Sequence, residues 1–250
     1  MIFKLFIKYL IFVFFIINVY SIKVSVIIYV YNDEKYLEST LSSVINQTLN
    51  DIEIICIDDA SNDNSLEILR NFEEKDNRVT VIHFDESKGK SVARNKGIEL
   101  AKGEFLSFMD SDYDVDENYL ELLYSYSTDY DIIVSKFARR INFSKADFVN
   151  KPSHYNPKHG FLVDSIFRKE FIDKNDIKFP EDKKIAEDII FRKTCYKNNP
   201  RIFKIPYKGI LKNFEDGKDS WKKSNRRIEK LRKRVEREAK RRNKRIAKEE

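Results

Sequence analysis

Between Val24 and Met109 the chain alternates between short β-rich apolar runs and segments whose apolar residues recur at helical spacing. That alternation leaves few folds open. Val24 to Val30 reads as a strand, Lys35 to Leu49 places Leu37, Leu41, Val44 and Ile45 on one helical face, and Ile52 to Ile57 is apolar again. Ser65 to Lys75 reads as a helix with Leu66, Leu69 and Phe72 inward and Asn62 or Asp63 as cap. A strand at Val79 to Phe84, a helix at Ser91 to Ala101 ended by Gly103, and a strand at Glu104 to Met109 complete the pattern. Four strands joined by three helical crossovers predict an α/β fold. Its sheet should be Rossmann-like and mostly parallel with helices on both faces, because right-handed crossovers feed parallel neighbours.

Composition narrows the class. With 42% hydrophobic residues, 6 Gly and 2 Cys in 250 residues, collagen, disulfide scaffolds and polytopic membrane proteins are excluded, and one medium-sized domain is expected. Cys56 falls in a core strand and Cys195 in a distant helix, so two buried free thiols are expected. The net charge of +6 is not evenly spread: residues 218–250 hold 16 Lys/Arg against 6 Asp/Glu, whereas residues 1–217 hold 31 against 35. A mildly acidic body at 22–217 therefore carries a basic tail at 218–250, which has no Gly or Pro beyond Asp219 and should be a solvated helix. That tail offers a surface to anionic lipid or another acidic partner. No nucleic-acid partner is expected, since Trp221 is the tail's only aromatic and no recognition motif accompanies it.

At the other end, Lys4 and Lys8 precede an uncharged, largely apolar run from Tyr9 to Ile22. Its length suits a signal-peptide core better than a spanning helix, with cleavage after Ser21, and the alternative is an uncleaved single-pass membrane anchor. Either places the body in the secretory pathway, in the ER or Golgi lumen or outside the cell. His83, His154 and His159 have no metal-ligand spacing and read as structural, with His159 a candidate late ligand in the loop Lys151 to Gly160.

Open parallel sheets bind ligands beyond the carboxyl ends of their strands. The residues there are acidic: Tyr31-Asn32-Asp33-Glu34, Asp58-Asp59, Asp85-Glu86 and Asp110-Ser111-Asp112. Like charges at one edge repel, so a neutralising cation is expected. Residues 31–36 contain no Gly, which excludes the backbone phosphate cradles of dinucleotide and P-loop proteins. A diphosphate would then have to be bridged to carboxylates by a divalent ion.

Three blocks, VSVIIYVYNDEKYLESTLSSVINQTLNDIEIICIDDASNDNSLEIL, SKGKSVARNKGIELAKGEFLSFMDSD and FPEDKKIAEDIIF, resemble in order and spacing the family 2 glycosyltransferases of GT-A fold. The likeness is dense over 24–112, a nucleotide-sugar half, and patchy from Tyr113 to 217, where an acceptor half would lie. The resemblance implies a nucleotide-sugar donor, commonly UDP-linked, transferred with inversion to a glycan, lipid or protein acceptor that the sequence does not name. It implies that Tyr29, Val30, Tyr31 and Asp59 line the base and ribose, that Arg94 lies near the nucleotide and its phosphates, and that Asp110 and Ser111 face the donor. Asp112 would ligate Mn²⁺ or Mg²⁺, and Asp188 matches the family's catalytic base. Asp188 begins a helix from Glu187 to Tyr196, where the dipole favours its ionised form and Glu187 opposes it. Tyr29 stands where the family usually has Pro, Tyr113 where another Asp is frequent, and Ser87 and Lys90 replace a common Asn and Leu. A non-catalytic sugar or nucleotide binder, or a membrane-surface scaffold acting through its tail, are the alternatives.

Overall fold

A computed structural model of the chain describes residues 22–139, 162–182 and 187–211. The expected leader, the basic tail, His154 and His159 lie outside these residues. The elements run β1 (Val24–Val30), α1 (Glu34–Ile45), β2 (Ile52–Asp58), α2 (Ser65–Lys75), β3 (Val79–His83), α3 (Lys90–Leu100), β4 (Phe105–Asp110), α4 (Tyr119–Tyr124) and β5 (Ile132–Arg139). After a 3-10 turn at Leu162–Asp164 come β6 (Ser165–Arg168), α5 (Lys169–Lys174), α6 (Glu187–Lys197) and β7 (Ile202–Leu211).

The strands form one sheet in the order β3-β2-β1-β4-β6-β5-β7. β1 pairs in parallel with both β2 and β4, in register Val24↔Ile52 and Val24↔Phe105. Its residues on both faces are buried apart from Tyr29, as a central strand of a covered sheet requires. The chain steps outward from β1 to β3 and then returns to the other side of β1 with β4. Strand order therefore reverses between β1 and β4, and open α/β sheets form their binding crevice beyond the carboxyl ends of strands at such a point.

The second half departs from the parallel pattern. β6 is only four residues long and runs antiparallel to both β4 and β5, and β7 then pairs in parallel with β5. The two halves share one aromatic core. Phe108 of β4 lies 5.2 Å from Phe179 and 5.5 Å from Phe191, measured between ring centroids. Phe179 stacks on Phe191 of α6 at 4.1 Å, and Phe167 of β6 meets Phe191 at 5.4 Å. Such pairs add directional contacts to the area they bury. Phe108 and Phe191 lie two and three residues from Asp110 and Asp188 in their own elements.

The expected elements of the first half are present, with boundaries shifted by a few residues at most. Leu69 is the fully buried contact of α2, whereas Leu66 and Phe72 are only partly covered. The cap of α2 is Asn64 rather than Asn62 or Asp63, and it makes no side-chain cap bond; Asp63, one residue earlier, instead accepts from the Ser65 N–H at 2.9 Å. Cys56 and Cys195 are free and buried, and burial pushes the Cys195 thiol up to about 12. Gly103 does not terminate α3 in a left-handed conformation. α3 ends at Ala101 in extended backbone, and Gly103 is needed for close approach instead. A Cβ there would lie 2.6 Å from the Ser25 nitrogen and 2.9 Å from the Val24 carbonyl carbon of β1. Backbone of a central strand cannot give way as a side-chain tip can. Gly103→Ala is accordingly expected to cost about 1–3 kcal/mol, read as a lower urea midpoint with an unchanged m-value.

Candidate active site

The loops leaving β1 and β2 are fastened to each other. Asn32 and Ala60 adopt left-handed backbone, with φ of 54° and 61°. Asn accepts this readily and Ala does not. The turns are held by Asn32 N–H donating to Ser61 Oγ at 3.0 Å and Asn62 N–H donating to Asn32 Oδ1 at 2.7 Å. Glu34 N–H donates to Asp63 at 3.0 Å, and Glu34 accepts from the Asn64 N–H at 2.9 Å. Tyr31 is left projecting, 41% exposed, over the crevice end of β1. Val30 points into the core, and its carbonyl accepts the Asp59 N–H, so its side chain is not at the crevice surface.

Asp59 is fully buried and organises a wall. Its Oδ2 accepts from the Tyr29 hydroxyl at 3.1 Å and the Ser87 hydroxyl at 2.8 Å, while Oδ1 accepts from the Lys88 N–H at 2.6 Å. The Gly89 N–H adds a bond at 3.0 Å to Oδ2. Gly89 has φ 88° with open space around its α-carbon, a backbone geometry that calls for glycine. The carboxylate thereby ties β1 and β2 to the loop that opens α3. Burial, followed by the charge and hydrogen bond of Asp59, pushes the Tyr29 phenol well above its ordinary range.

Ser111 is also buried, its hydroxyl bonded to Asp33 and its carbonyl accepting from Thr40 Oγ1 at 2.8 Å. It joins the end of β4 to the start of α1. Asp112 follows in a half-buried turn.

The centre of the site is Arg94 on α3, with only 3% of its side chain exposed. Nη2 donates to Asp110 Oδ1 at 2.8 Å and Nη1 donates to Asp188 Oδ1, with Glu187 3.7 Å away. One guanidinium thus joins the carboxyl end of β4 to the first turn of α6. It lies over the Phe179 ring, 5.2 Å from the centroid. Phe179 is held by the next residue of α3: Asn95 Nδ2 donates to the Phe179 carbonyl at 3.0 Å and Asn95 Oδ1 accepts the Phe179 N–H at 2.8 Å. Arg94 and Asn95 together attach the segment leading to α6 onto α3.

The expected crowding of carboxylates is relieved largely by the protein's own groups. His83 Nδ1 lies 2.8 Å from Asp58, which also accepts the Ser61 N–H; Asp33 and Asp59 take hydroxyl and backbone donors, and Arg94 and Lys90 serve Asp110. Asp188 differs in balance. Burial raises its pKa, Arg94 pulls it down, and Asp110 and Glu187 add to the rise; the direction overall is upward. Desolvation, which the sequence could not show, is the largest cause, and Glu187 adds to the rise.

Tyr29, Asp59, Arg94, Asp110 and Asp188 are brought together as one connected network, while Val30 and Ser111 support it from within. Asp33, Lys90, Asn95 and Phe179 were not recognised as site residues from sequence. Asn95 and Phe179 lie inside the blocks that carry the resemblance, but only their mutual pairing, 84 residues apart, reveals a role.

The fold and this network define a GT-A glycosyltransferase, and the chain belongs to that class: the model of glycosyl transferase family 2 matches residues 25–192. Glycosyltransferase GlyG of Streptococcus pneumoniae is 40% identical over 126 residues, which is 50% of this chain and 41% of that protein. The poly(ribitol-phosphate) β-N-acetylglucosaminyltransferase TarP of Staphylococcus aureus is 36% identical over 187 residues, 68% of this chain and 56% of TarP. Residues 1–349 of S. aureus TarS, crystallised with UDP, superpose with a TM-score of 0.64 at 27% identity, covering 75% of this chain and 59% of that one. The chain thus spans about half the length of the relatives it matches.

Arg94→Met should leave two partly buried carboxylates facing each other without their cation. A stability loss of about 2–4 kcal/mol is expected, together with weakened docking of residues 177–182, measured by chemical denaturation and by faster amide exchange at Phe179.

Proposed function

We propose that this chain transfers a sugar from a UDP-linked donor to an acceptor hydroxyl, with inversion at the anomeric carbon and with a divalent ion on the diphosphate. The observation that carries the proposal is the position of Arg94, which sets Asp110, at the end of β4, beside Asp188, at the start of α6; in this reading the first faces the nucleotide and the second the acceptor. Family membership supports the reaction class, and the S. aureus TarS complex with UDP-GlcNAc, at 27% identity, supports a UDP-linked donor.

In this reading Asp188 accepts the proton of the acceptor hydroxyl as the oxygen attacks the anomeric carbon. The new C–O bond forms as the bond from that carbon to the β-phosphate oxygen breaks, and the electron pair leaves with the diphosphate. One base on the acceptor side and positive charge on the leaving group suffice. Burial favours Asp188 in this role because a raised pKa makes the ionised carboxylate a stronger proton acceptor. Asp59 and Tyr29 form the wall against which the base and ribose would pack.

Among the described residues no group of three His, Cys, Asp or Glu is placed to hold an ion by itself, so in this reading the ion site is shared with the donor. Asp112, in the half-buried turn beyond β4, would supply one carboxylate and donor phosphates would complete the shell, a mode common for Mg²⁺ and also suited to Mn²⁺. An ion held there supplies positive charge to the diphosphate.

Purified protein is expected to hydrolyse or transfer from a UDP-sugar in a panel read by mass spectrometry, with loss of turnover in EDTA and in Asp112→Asn. Asp188→Asn should lower kcat by about 10²–10⁴ and retain donor binding. Because the ionised base is the active form, kcat/KM should fall with acid, along a limb displaced above the ordinary Asp value of about 3.9. Folded protein with neither turnover nor binding across the panel overturns the proposal. Binding with turnover unaffected by Asp188→Asn identifies another base or a non-catalytic binder.

A further inference from the structure

The charge around Arg94 is unevenly matched. One guanidinium with 3% of its side chain exposed faces Asp110, Asp188 and, more distantly, Glu187. A diphosphate entering the crevice meets this acidic group, and Arg94 cannot turn towards it without releasing Asp188. Four residues earlier, on the same face of α3, stands Lys90. Its ammonium lies 3.5 Å from the same Asp110 oxygen and 5.1 Å from the centroid of the Tyr29 ring, with 36% of the side chain exposed. At 3.5 Å the ion pair is loose, and Lys90 is much freer to turn than Arg94.

Three side chains meet at this point. Tyr29 and Ser87 both donate to Asp59 Oδ2, and Lys90 lies over the ring of Tyr29. A cation over an aromatic face is held by the ring's negative potential. With its hydroxyl tied to buried Asp59, that ring is a fixed platform. Helix stability does not account for the lysine, because a cation in the first turn opposes the helix dipole.

We infer that Lys90, seated on Tyr29 at the edge of the crevice, is a second protein cation for the donor's diphosphate that works beside the divalent ion. The inference rests on the reading that this crevice binds a nucleoside diphosphate. When the diphosphate binds, the ammonium exchanges its loose contact with Asp110 for charge-assisted hydrogen bonds to phosphate oxygens, and Arg94 keeps its hold on Asp188. At departure of the leaving group the same ammonium is positioned to meet the charge that develops on the β-phosphate.

The test is calorimetric titration of the full chain with UDP and with uridine, in EDTA and in Mn²⁺. Lys90→Leu, which removes the ammonium at a partly exposed site, is expected to weaken UDP binding in EDTA about tenfold, the usual scale for one charge-assisted hydrogen bond, while uridine affinity and the thermal midpoint stay as in wild type. Lys90→Arg should restore most of the loss. Lys96→Gln, on the same helix and paired with Glu99 at 3.0 Å, should change neither affinity. Equal UDP affinity in wild type and Lys90→Leu overturns the inference and leaves the reading of the crevice standing. An equal loss for uridine also overturns it, since it would make Lys90 part of the base and ribose wall. Wild-type protein that binds neither ligand in either buffer overturns the reading of the crevice itself, and the inference with it.

Discussion

The site depends on one buried guanidinium. Arg94 leaves α3 in the nucleotide half and neutralises the end of β4 and the start of α6 at once. Burying a cation costs several kcal/mol of lost hydration, and replacing a whole buried ion-pair cluster, cation and carboxylates together, by hydrophobic residues of similar volume is often as stable. What the ion pairs add is a defined arrangement, because a planar fork with two directions of donation holds two carboxylates at set angles. The stack on Phe179 and the paired hydrogen bonds of Asn95 fix the segment that delivers Asp188. The Phe108, Phe167, Phe179 and Phe191 rings carry that arrangement into the core.

This arrangement divides the acids at the sheet edge into two kinds. Asp33, Asp58 and Asp59 are engaged by hydroxyls, backbone N–H groups and His83, and they shape the loops. Asp110 and Asp188 share a cation and stay partly open to solvent, with 28% and 33% of their side chains exposed. Engagement by several fixed donors suits a structural role. Partial satisfaction near a solvent-facing crevice leaves a carboxylate able to exchange partners or take up a proton.

Legibility from sequence followed the range of the interactions. β1 through β4 could be read because each β-α-β unit is a local pattern: apolar runs of strand length, helical faces such as Leu37, Leu41 and Val44, and acids where strands end. Beyond Tyr113 the strands owe their place to non-local pairing. Ser165–Arg168 is too short to announce itself, and it becomes a strand because β4 and β5 offer edges on either side. Gly103 shows the same limit at one residue. Its position after a helix suggested a terminator, whereas its use is set by the backbone of β1, nearly eighty residues earlier in the chain. The acidic edge suggested an external cation as the main neutraliser, and the internal donors that share the task could not be seen before the fold brought them together.

The amino-acid order alone was enough for the parallel sheet of the first half, the crevice at its carboxyl edge and the identity of most acids around it, since periodicity and strand-end chemistry are written within a few turns of chain. The fold in three dimensions decided which of those acids are structural, that Arg94 spans the two halves, that burial raises Asp188, and that Tyr29, Ser87 and Lys90 belong to one cluster. Each of these depends on distance and desolvation between residues far apart in sequence, and neither is defined until the chain is packed.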